Sequence, residues 1–244
     1  MHKIISYPIS AVYYLTFGLF LCIFHPIQWI CFNGFGYEAH KRSVSILNFF
    51  LVRTTHILGT TYDFRNREKL PKGVPVIIVA NHQSLYDIPP IIWFLRDWHP
   101  KFVSKKELGK GIPSVSYNLR HGGSVLIDRK DPKQALSAIR VMAEYIEKHN
   151  RSTVIFPEGT RSKTGIPKKF SENGLKILHK YAPSAFVVPI SINNSWKMNR
   201  FGHFPMGLGN KIIFTIQEPF PVKGISFEEM MQKTENAVVS GIKI

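Results

Sequence analysis

The stretch that decides the fold is Val74-Pro75-Val76-Ile77-Ile78-Val79-Ala80, which runs directly into Asn81-His82-Gln83-Ser84-Leu85-Tyr86-Asp87. The first part is a continuous apolar run rich in β-branched side chains, typical of a strand that is buried on both faces. A polar turn follows at once, and the next apolar segment predicts a helix over Ile88–Leu95. Strand, turn and helix in this order form the unit from which parallel sheets are built.

The same alternation continues toward the C-terminus. The clearest helix begins after Asp131, a predicted N-cap, and carries an apolar stripe at helical spacing. We expect an α/β fold with a mixed, mostly parallel sheet flanked by helices on both faces. The further predicted strands are Lys101–Ser104, Ser124–Ile127, Thr153–Phe156, Ala185–Ile192 and Lys211–Gln217, and the further predicted helices are Pro132–Lys148, Glu172–Tyr181 and Phe227–Ser240.

The N-terminal part has a different composition. No Asp, Glu, Lys or Arg occurs from Ile9 to Phe32, and aromatic residues crowd this segment. A second apolar stretch, Ser43–Leu58, follows a basic link at Lys41-Arg42, so two helices can lie in one membrane leaflet. A single spanning helix and an ordinary buried core helix remain alternatives. We therefore divide the chain into a membrane-anchoring two-helix motif, residues 1–60, and an α/β domain, residues 61–244.

The charge balance indicates an anionic partner. The 244 residues include 32 Lys and Arg against 16 Asp and Glu, a net charge of +16, and +13 of it falls on residues 61–244. Nucleic acid, an anionic membrane surface or a phosphorylated substrate would each match this charge. The apolar content excludes a disordered chain. The two cysteines, Cys22 and Cys31, are too few for a disulfide scaffold and indicate a reducing compartment.

A histidine and a carboxylate stand five residues apart in the turn after the first buried strand. His82 is a candidate general base, and Asp87 could hold one ring nitrogen so that the other accepts a proton. The alternative is that Asp87 only caps the helix that begins at Ile88, since aspartate is a common N-cap residue.

Cationic and hydroxyl side chains follow other predicted strands. Phe156-Pro157-Glu158-Gly159-Thr160-Arg161-Ser162 combines a tight turn with a guanidinium that can bind phosphate through two hydrogen bonds. A simple ion pair between Glu158 and Arg161 is the alternative. Lys105 and Arg129 follow two more strands, and a solvated charged face would be their ordinary explanation. The sequence contains no P-loop, no Gly-x-Ser-x-Gly and no metal-ligand spacing, so we expect no metal and no cofactor.

Four ordered blocks resemble those of the bacterial lysophosphatidate acyltransferase family of glycerolipid acyltransferases. The blocks are Asn81-His82 with Asp87, Ile127-Asp128-Arg129, residues 156–162, and Val188-Pro189-Ile190. The resemblance covers residues 60–220 and implies transfer of an acyl chain from acyl-CoA or acyl carrier protein to the free hydroxyl of a membrane lysolipid. It also implies an α/β core, a two-helix membrane motif, and a location at the cytoplasmic face of the inner membrane.

The resemblance also implies roles for single residues. His82 with Asp87 would be the catalytic pair, and Glu158, Gly159, Thr160 and Arg161 would bind the acceptor phosphate, with Arg129 and Lys105 adding charge. Val188-Pro189-Ile190 would shape the acyl pocket.

Two departures from the family pattern leave the acceptor open. The stretch Lys169–Gly174 has an extra residue and the acidic Glu172, and no glycine follows Pro113 closely. A lyso-aminolipid acceptor is therefore an alternative to 1-acyl-glycerol-3-phosphate. A catalytically silent membrane scaffold and a nucleic-acid binder are further alternatives. A nucleic-acid binder is expected to carry aromatic residues among its basic ones. Here the aromatic residues concentrate in the uncharged N-terminal segment, so we expect no nucleic acid as partner.

Overall fold

The computed structural model describes residues 2–243. One sheet forms the centre of the molecule, and helices cover both of its faces, as predicted. In chain order the elements are α1 (His2–Thr54), β1 (Thr61–Arg65), β2 (Val76–Ala80), α2 (Ile88–Phe94), β3 (Lys101–Lys105), α3 (Val115–His121), β4 (Val125–Ile127), α4 (Pro132–His149), β5 (Ser152–Ile155), α5 (Glu172–Tyr181), β6 (Phe186–Asn193), β7 (Lys211–Ile216), β8 (Phe220–Pro221) and α6 (Phe227–Ser240).

The strand order is β1-β7-β6-β2-β5-β3-β4, with β8 paired to β6. Strands β2 to β6 run parallel to one another, whereas β7 and β8 are antiparallel to β6, and β1 is parallel to β7. The sheet is therefore mixed and mostly parallel. Because β2 and β5 are neighbours, the loops that follow them meet at the carboxyl edge.

Strand β2 is buried on both faces, which explains its continuous apolar sequence. Val76, Ile78 and Ala80 belong to a core shared with α2 and the N-terminal helix, and Tyr13 of that helix is part of this core. Ile77 and Val79 face the opposite core, which α4, α5 and α6 cover. The N-terminal motif thus packs directly against the sheet domain.

The N-terminal motif, residues 2–54, consists of two helical segments that pack antiparallel. We call it the hairpin. Phe20 stacks on Phe50 with ring centroids 4.7 Å apart, and Phe24 also contacts Phe50. The bend lies at Gly36, with φ +78°, and not at the predicted link Lys41-Arg42. A positive φ is nearly free for glycine and unfavourable for residues with a Cβ, so the chain turns at Gly36.

The outer face of the hairpin is apolar and exposed. Within residues 2–243, α1 is the one helix long and apolar enough to cross a membrane, judged by length and composition alone. Its exposed apolar side chains include Ile4, Ile5, Val12, Leu15, Leu19, Ile23, Trp29, Ile30 and Phe35. The inner face of α1 packs on the sheet domain. Because the outer face is exposed, α1 is not an ordinary buried core helix.

Candidate active site

His82 and Asp87 are in contact in the turn that follows β2. Nδ1 of His82 lies 2.8 Å from Oδ2 of Asp87. The carboxylate is fully buried, while the histidine side chain is 16% exposed. The ring of His82 also stacks on Phe156, with centroids 4.2 Å apart. The histidine is thus held on two sides and keeps access to solvent.

The Asp87 carboxylate serves the turn and not the following helix. Its Oδ2 also accepts hydrogen bonds from the backbone N–H of Gln83 at 2.8 Å and of Ser84 at 2.9 Å. Asp87 occupies the N-cap position of α2 but makes no capping hydrogen bond there. The capping interpretation of Asp87 is therefore wrong. Because Oδ2 of Asp87 accepts two backbone N–H groups, it carries no hydrogen, so Nδ1 of His82 is the donor in their contact and Nε2 is free to accept a proton.

Glu158 joins the loop after β5 to the loop after β2. Its Oε1 accepts the backbone N–H of His82 at 2.9 Å, and its Oε2 accepts the backbone N–H of Lys168 at 3.1 Å. Burial raises the pKa of Glu158, and these two hydrogen bonds oppose the shift. The ion pair with Arg161, considered from the sequence, does not form among the described residues. Both oxygens accept a backbone N–H, so Glu158 holds the turn that carries His82.

Arg161 is exposed beside the catalytic turn. It lines a cleft of about 490 Å³ together with the largely apolar Tyr14, Leu85, Tyr86 and Phe204 and the polar Asn199 and His203. Gly159 has φ +67° and nothing within 4 Å of the position of a Cβ, so the turn is left-handed and open. Nζ of Lys168 donates to Oγ1 of Thr160 at 2.6 Å and to the carbonyl oxygen of Arg161 at 3.2 Å. Arg161 thus lines the cleft, and Lys168 lies beside it in the same loop.

Lys105 and Arg129 lie at the same edge of the sheet but further along it. Lys105 is the last residue of β3, level with Ile127 of β4, and Arg129 follows two residues later. Strand spacing places β3 about 10 Å and β4 about 14 Å from β2. Neither residue contacts His82 or Asp87, and neither forms an ion pair within residues 2–243. The structure therefore places both cations on the edge of the sheet that carries His82 and Asp87, without contact to either residue.

Val188 and Ile190, which were expected to shape an acyl pocket, are fully buried and are not among the residues that line this cleft. They belong to β6, which lies in the centre of the sheet beside β2. Both side chains are part of the core next to the hairpin. The cleft is lined by residues outside the strands.

Several positioning residues were missed from the sequence. Asn81 joins β2 to β6, because its side chain donates to the carbonyl oxygen of Ile192 and accepts from the N–H of that residue. Gln83 accepts from the N–H of Ser195 at 3.0 Å. Lys168 belongs to no recognisable sequence motif, and its contacts with Thr160 and Arg161 form only when the loop is folded. Asn81 could have been found, since an amide at the end of a buried strand needs partners.

A metal site is not formed by the residues that the structure describes. No group of three or more His, Cys, Asp or Glu side chains in residues 2–243 lies close enough to hold an ion. The described residues combine a histidine held by a carboxylate with nearby cationic side chains and a largely apolar cleft. Such a site suits transfer to a hydroxyl on an amphiphilic anion.

Comparisons with known proteins agree with this chemistry. A family model described as Acyltransferase matches residues 61–193. A 1-acyl-sn-glycerol-3-phosphate acyltransferase of Helicobacter pylori is 39% identical over 127 residues, which are 49% of this chain and 51% of that protein. The protein of the same name from Cocos nucifera is 30% identical over 63% of this chain and 47% of its own length. The chain thus spans about half the length of the curated relatives it matches.

A solved structure covers the whole chain. The crystal structure of the 1-acyl-sn-glycerophosphate acyltransferase PlsC from Thermotoga maritima superimposes with a TM-score of 0.82 at 27% identity, over 99% of this chain and 96% of that one. The similarity therefore includes the hairpin as well as the sheet domain.

Proposed function

The chain belongs to the acyltransferase family, and on that premise we propose that it transfers a fatty acyl chain from a thioester donor to the free hydroxyl of 1-acyl-glycerol-3-phosphate, giving phosphatidate for phospholipid synthesis. The observation that carries the proposal is the 2.8 Å contact between His82 Nδ1 and Asp87 Oδ2. It leaves Nε2 as a proton acceptor at the edge where the cations gather. The names of the curated relatives and of the solved neighbour support the acceptor.

In the proposed reaction Nε2 of His82 removes the proton of the acceptor hydroxyl as its oxygen attacks the thioester carbonyl carbon. The tetrahedral intermediate collapses, the carbon–sulfur bond breaks, and the proton on Nε2 passes to the leaving thiolate. Asp87 stabilises the imidazolium in between because its carboxylate is buried against Nδ1. The products are the ester and a free thiol, so the step needs no acyl-enzyme, metal or cofactor. The donor is acyl-CoA or acyl carrier protein.

Arg161 would hold the acceptor phosphate, with Lys168 supporting the loop and adding charge. A guanidinium suits phosphate because it donates two parallel hydrogen bonds. Tyr14, Tyr86 and Phe204 form the apolar walls next to Arg161, so an acyl chain attached to the bound headgroup would lie against them. Gly159 and Thr160 shape the loop that carries the guanidinium, and Arg129 and Lys105 would attract the phosphates of either substrate.

The hairpin would bring this site to the lipid. Its exposed apolar face, and the +13 charge on the remainder of the chain, suit the surface of an anionic membrane. Because the donor is made in the cytoplasm, we place the enzyme at the cytoplasmic face of the inner membrane. The hairpin lies in one leaflet, since its inner face is packed against the sheet domain.

The test is acyl transfer by the purified full-length protein. The radiolabelled acyl chain is supplied as acyl-CoA in one assay and as its thioester with acyl carrier protein in another. Lysophosphatidate and a glycine- or ornithine-type lyso-aminolipid are offered in parallel, with His82→Ala as the matched control. We expect labelled phosphatidate from the wild type only. If only the lyso-aminolipid is acylated, it is the acceptor in place of lysophosphatidate. If no lysolipid is acylated, the proposal is overturned in favour of a catalytically silent membrane-binding protein.

A further inference from the structure

A second cleft lies at the opposite end of β3 from the active site. It is formed by the second half of the hairpin, the end of α2, the start of β3 and the turn that follows α3. The side chains that matter here are His40, Lys41, Arg96, His99 and Lys101. Lys101 and Lys105 are the two ends of β3, so strand geometry separates the two sites by about 13 Å.

The cleft carries an excess of positive charge. Lys41, Arg96 and Lys101 form no ion pair within residues 2–243. Arg96 lies over the ring of Trp93 at 4.2 Å, and Nζ of Lys101 lies 4.9 Å from the ring of Tyr37.

The acidic groups near the cleft have other partners. The carboxylate of Glu38 is 3.8 Å from Arg151, and that of Asp97 is 2.7 Å from Arg67; both carboxylates are exposed. Three cations therefore converge on one cleft while the nearby acidic side chains are engaged elsewhere.

Two of the lining side chains are buried with unused donors. His40 is fully buried, and neither of its ring nitrogens has a hydrogen-bond partner. Lys101 is only 6% exposed, and burial, followed by the charges of Arg151 and Lys41, lowers its pKa to about 7. Leaving a buried polar group unpartnered destabilises the folded state, and a buried unpaired charge does so more strongly. An anion between these donors would remove both penalties.

The cleft is small, with room for little more than one water below its rim, so an anion bound there would extend to the rim. The rim is reached from solvent past the half-buried Lys41, Arg96 and His99. The bend of the hairpin is close by in sequence, and it exposes Trp29 and Phe35.

We propose that this cleft binds a phosphate-type oxyanion, with His40 and Lys101 as the buried donors and Lys41 and Arg96 as the donors at the rim. The ammonium groups and the guanidinium supply several N–H donors to a tetrahedral anion, which has acceptors in every direction. The ligand is the phosphate of a membrane lipid or free inorganic phosphate, which share this chemistry. The site is independent of the proposed reaction, since it uses no residue of the catalytic edge.

The test measures access to Lys41 in the full-length protein. The protein in neutral detergent is acetylated with an N-hydroxysuccinimide ester, and modification of each lysine is followed by peptide mass spectrometry. The exposed Lys223 serves as the internal reference. Inorganic phosphate is added in one arm, phosphatidylglycerol vesicles in a second and phosphatidylcholine vesicles in a third. Because Lys41 is not part of the catalytic edge, phosphate bound at Arg161 does not change this signal.

We expect an oxyanion to slow acetylation of Lys41 relative to Lys223, by about tenfold at ten times its dissociation constant. Protection by inorganic phosphate identifies a soluble ligand, and protection by phosphatidylglycerol but neither by phosphatidylcholine nor by free phosphate identifies a lipid headgroup. Lys101→Met should abolish the protection, and Arg96→Gln should weaken it if Lys101→Met does not fold. Arg42→Gln, on the exposed side of the same turn of helix, should leave it unchanged. No protection in any arm, or protection that survives both Lys101→Met and Arg96→Gln, would overturn the proposal.

Discussion

The backbone N–H of His82 donates a hydrogen bond of 2.9 Å to Oε1 of Glu158, 76 residues further along the chain. A second bond runs in the opposite direction, from the N–H of Ser162 to the carbonyl oxygen of His82 at 2.7 Å. The loops after β2 and β5 are thus tied together through the main chain of the candidate base. The position of the imidazole therefore depends on the loop after β5 as well as on Asp87.

Replacing His82 by alanine should lower kcat by about 10²- to 10⁴-fold, the usual contribution of general acid–base catalysis. Asp87→Asn should cause a smaller loss. The amide oxygen can take over the three hydrogen bonds of Oδ2, and the amide nitrogen would replace Oδ1, which has no partner among the described residues, but the charge that stabilises the imidazolium is gone. Initial rates and thermal unfolding of both variants provide the check. A near wild-type rate in His82→Ala would exclude His82 as the base.

Replacing Glu158 by glutamine should reduce both activity and stability. The amide nitrogen of glutamine would face one of the two backbone N–H groups that Glu158 accepts, so one buried donor loses its partner, at about 1–3 kcal/mol. Chemical denaturation measures the loss, and kcat reports the displacement of His82. Glu144→Gln is the control, because its pair with Arg140 is exposed to solvent and contributes little to stability. Equal behaviour of the two variants would contradict the positioning role.

Replacing Arg161 by lysine keeps the charge but loses the two parallel hydrogen bonds to phosphate. We expect KM for lysophosphatidate to rise about tenfold, with a smaller change in kcat. Steady-state kinetics with each substrate varied in turn are the measurement. Lys163→Gln, an exposed charge two residues away, should change neither constant appreciably. If KM for the thioester donor rises instead, the loop binds the donor.

Introducing two glutamates on the outer face of the hairpin should release the protein from membranes. Leu15 and Leu19 are 75% and 56% exposed, so Leu15→Glu with Leu19→Glu removes apolar contact with lipid and adds charge without disturbing the core. Flotation with anionic vesicles at high salt is the measurement, because salt screens the basic surface but not apolar burial. Val141→Glu, at a 58% exposed apolar residue of α4, is the control. Deleting the hairpin would be a poorer test, since the fully buried Tyr13 belongs to the core. Undiminished flotation of the double variant would disprove anchoring by this face.

The stability of the protein should depend on pH through Lys101. Burial with Arg151 and Lys41 lowers its pKa to about 7, against the opposing effect of Glu38, whereas in the unfolded chain it is about 10.4. Between these values the unfolded chain binds more protons, so the free energy of unfolding should rise with pH above 7, by at most about 1.4 kcal/mol per pH unit. Denaturation of wild type and Lys101→Met at pH 6.5, 7.5 and 8.5 is the measurement. Parallel pH profiles would contradict the shift.

The local order of elements could be read from the sequence because it depends on neighbouring residues. The apolar run of β2, the N-cap of α4 at Asp131 and the polar turn that carries His82 and Asp87 are all local patterns. Strand β1 was missed, since Thr61–Arg65 contains Asp63 and Arg65 and lies at the edge of the sheet, half exposed. The bend of the hairpin was misplaced, because Lys41-Arg42 looked like a link while the backbone turns at Gly36.

The sequence alone indicates the α/β fold class and the contact between His82 and Asp87, because both depend on residues that are close together in the chain. The tertiary structure is needed for the pairing of Glu158 with the backbone of His82, for the burial of Val188 and Ile190, and for the cluster of Lys41, Arg96 and Lys101 around one cleft. These contacts join residues far apart in the chain. They exist because strand order and register bring separate loops to one edge of the sheet, and no periodicity along the sequence encodes that order.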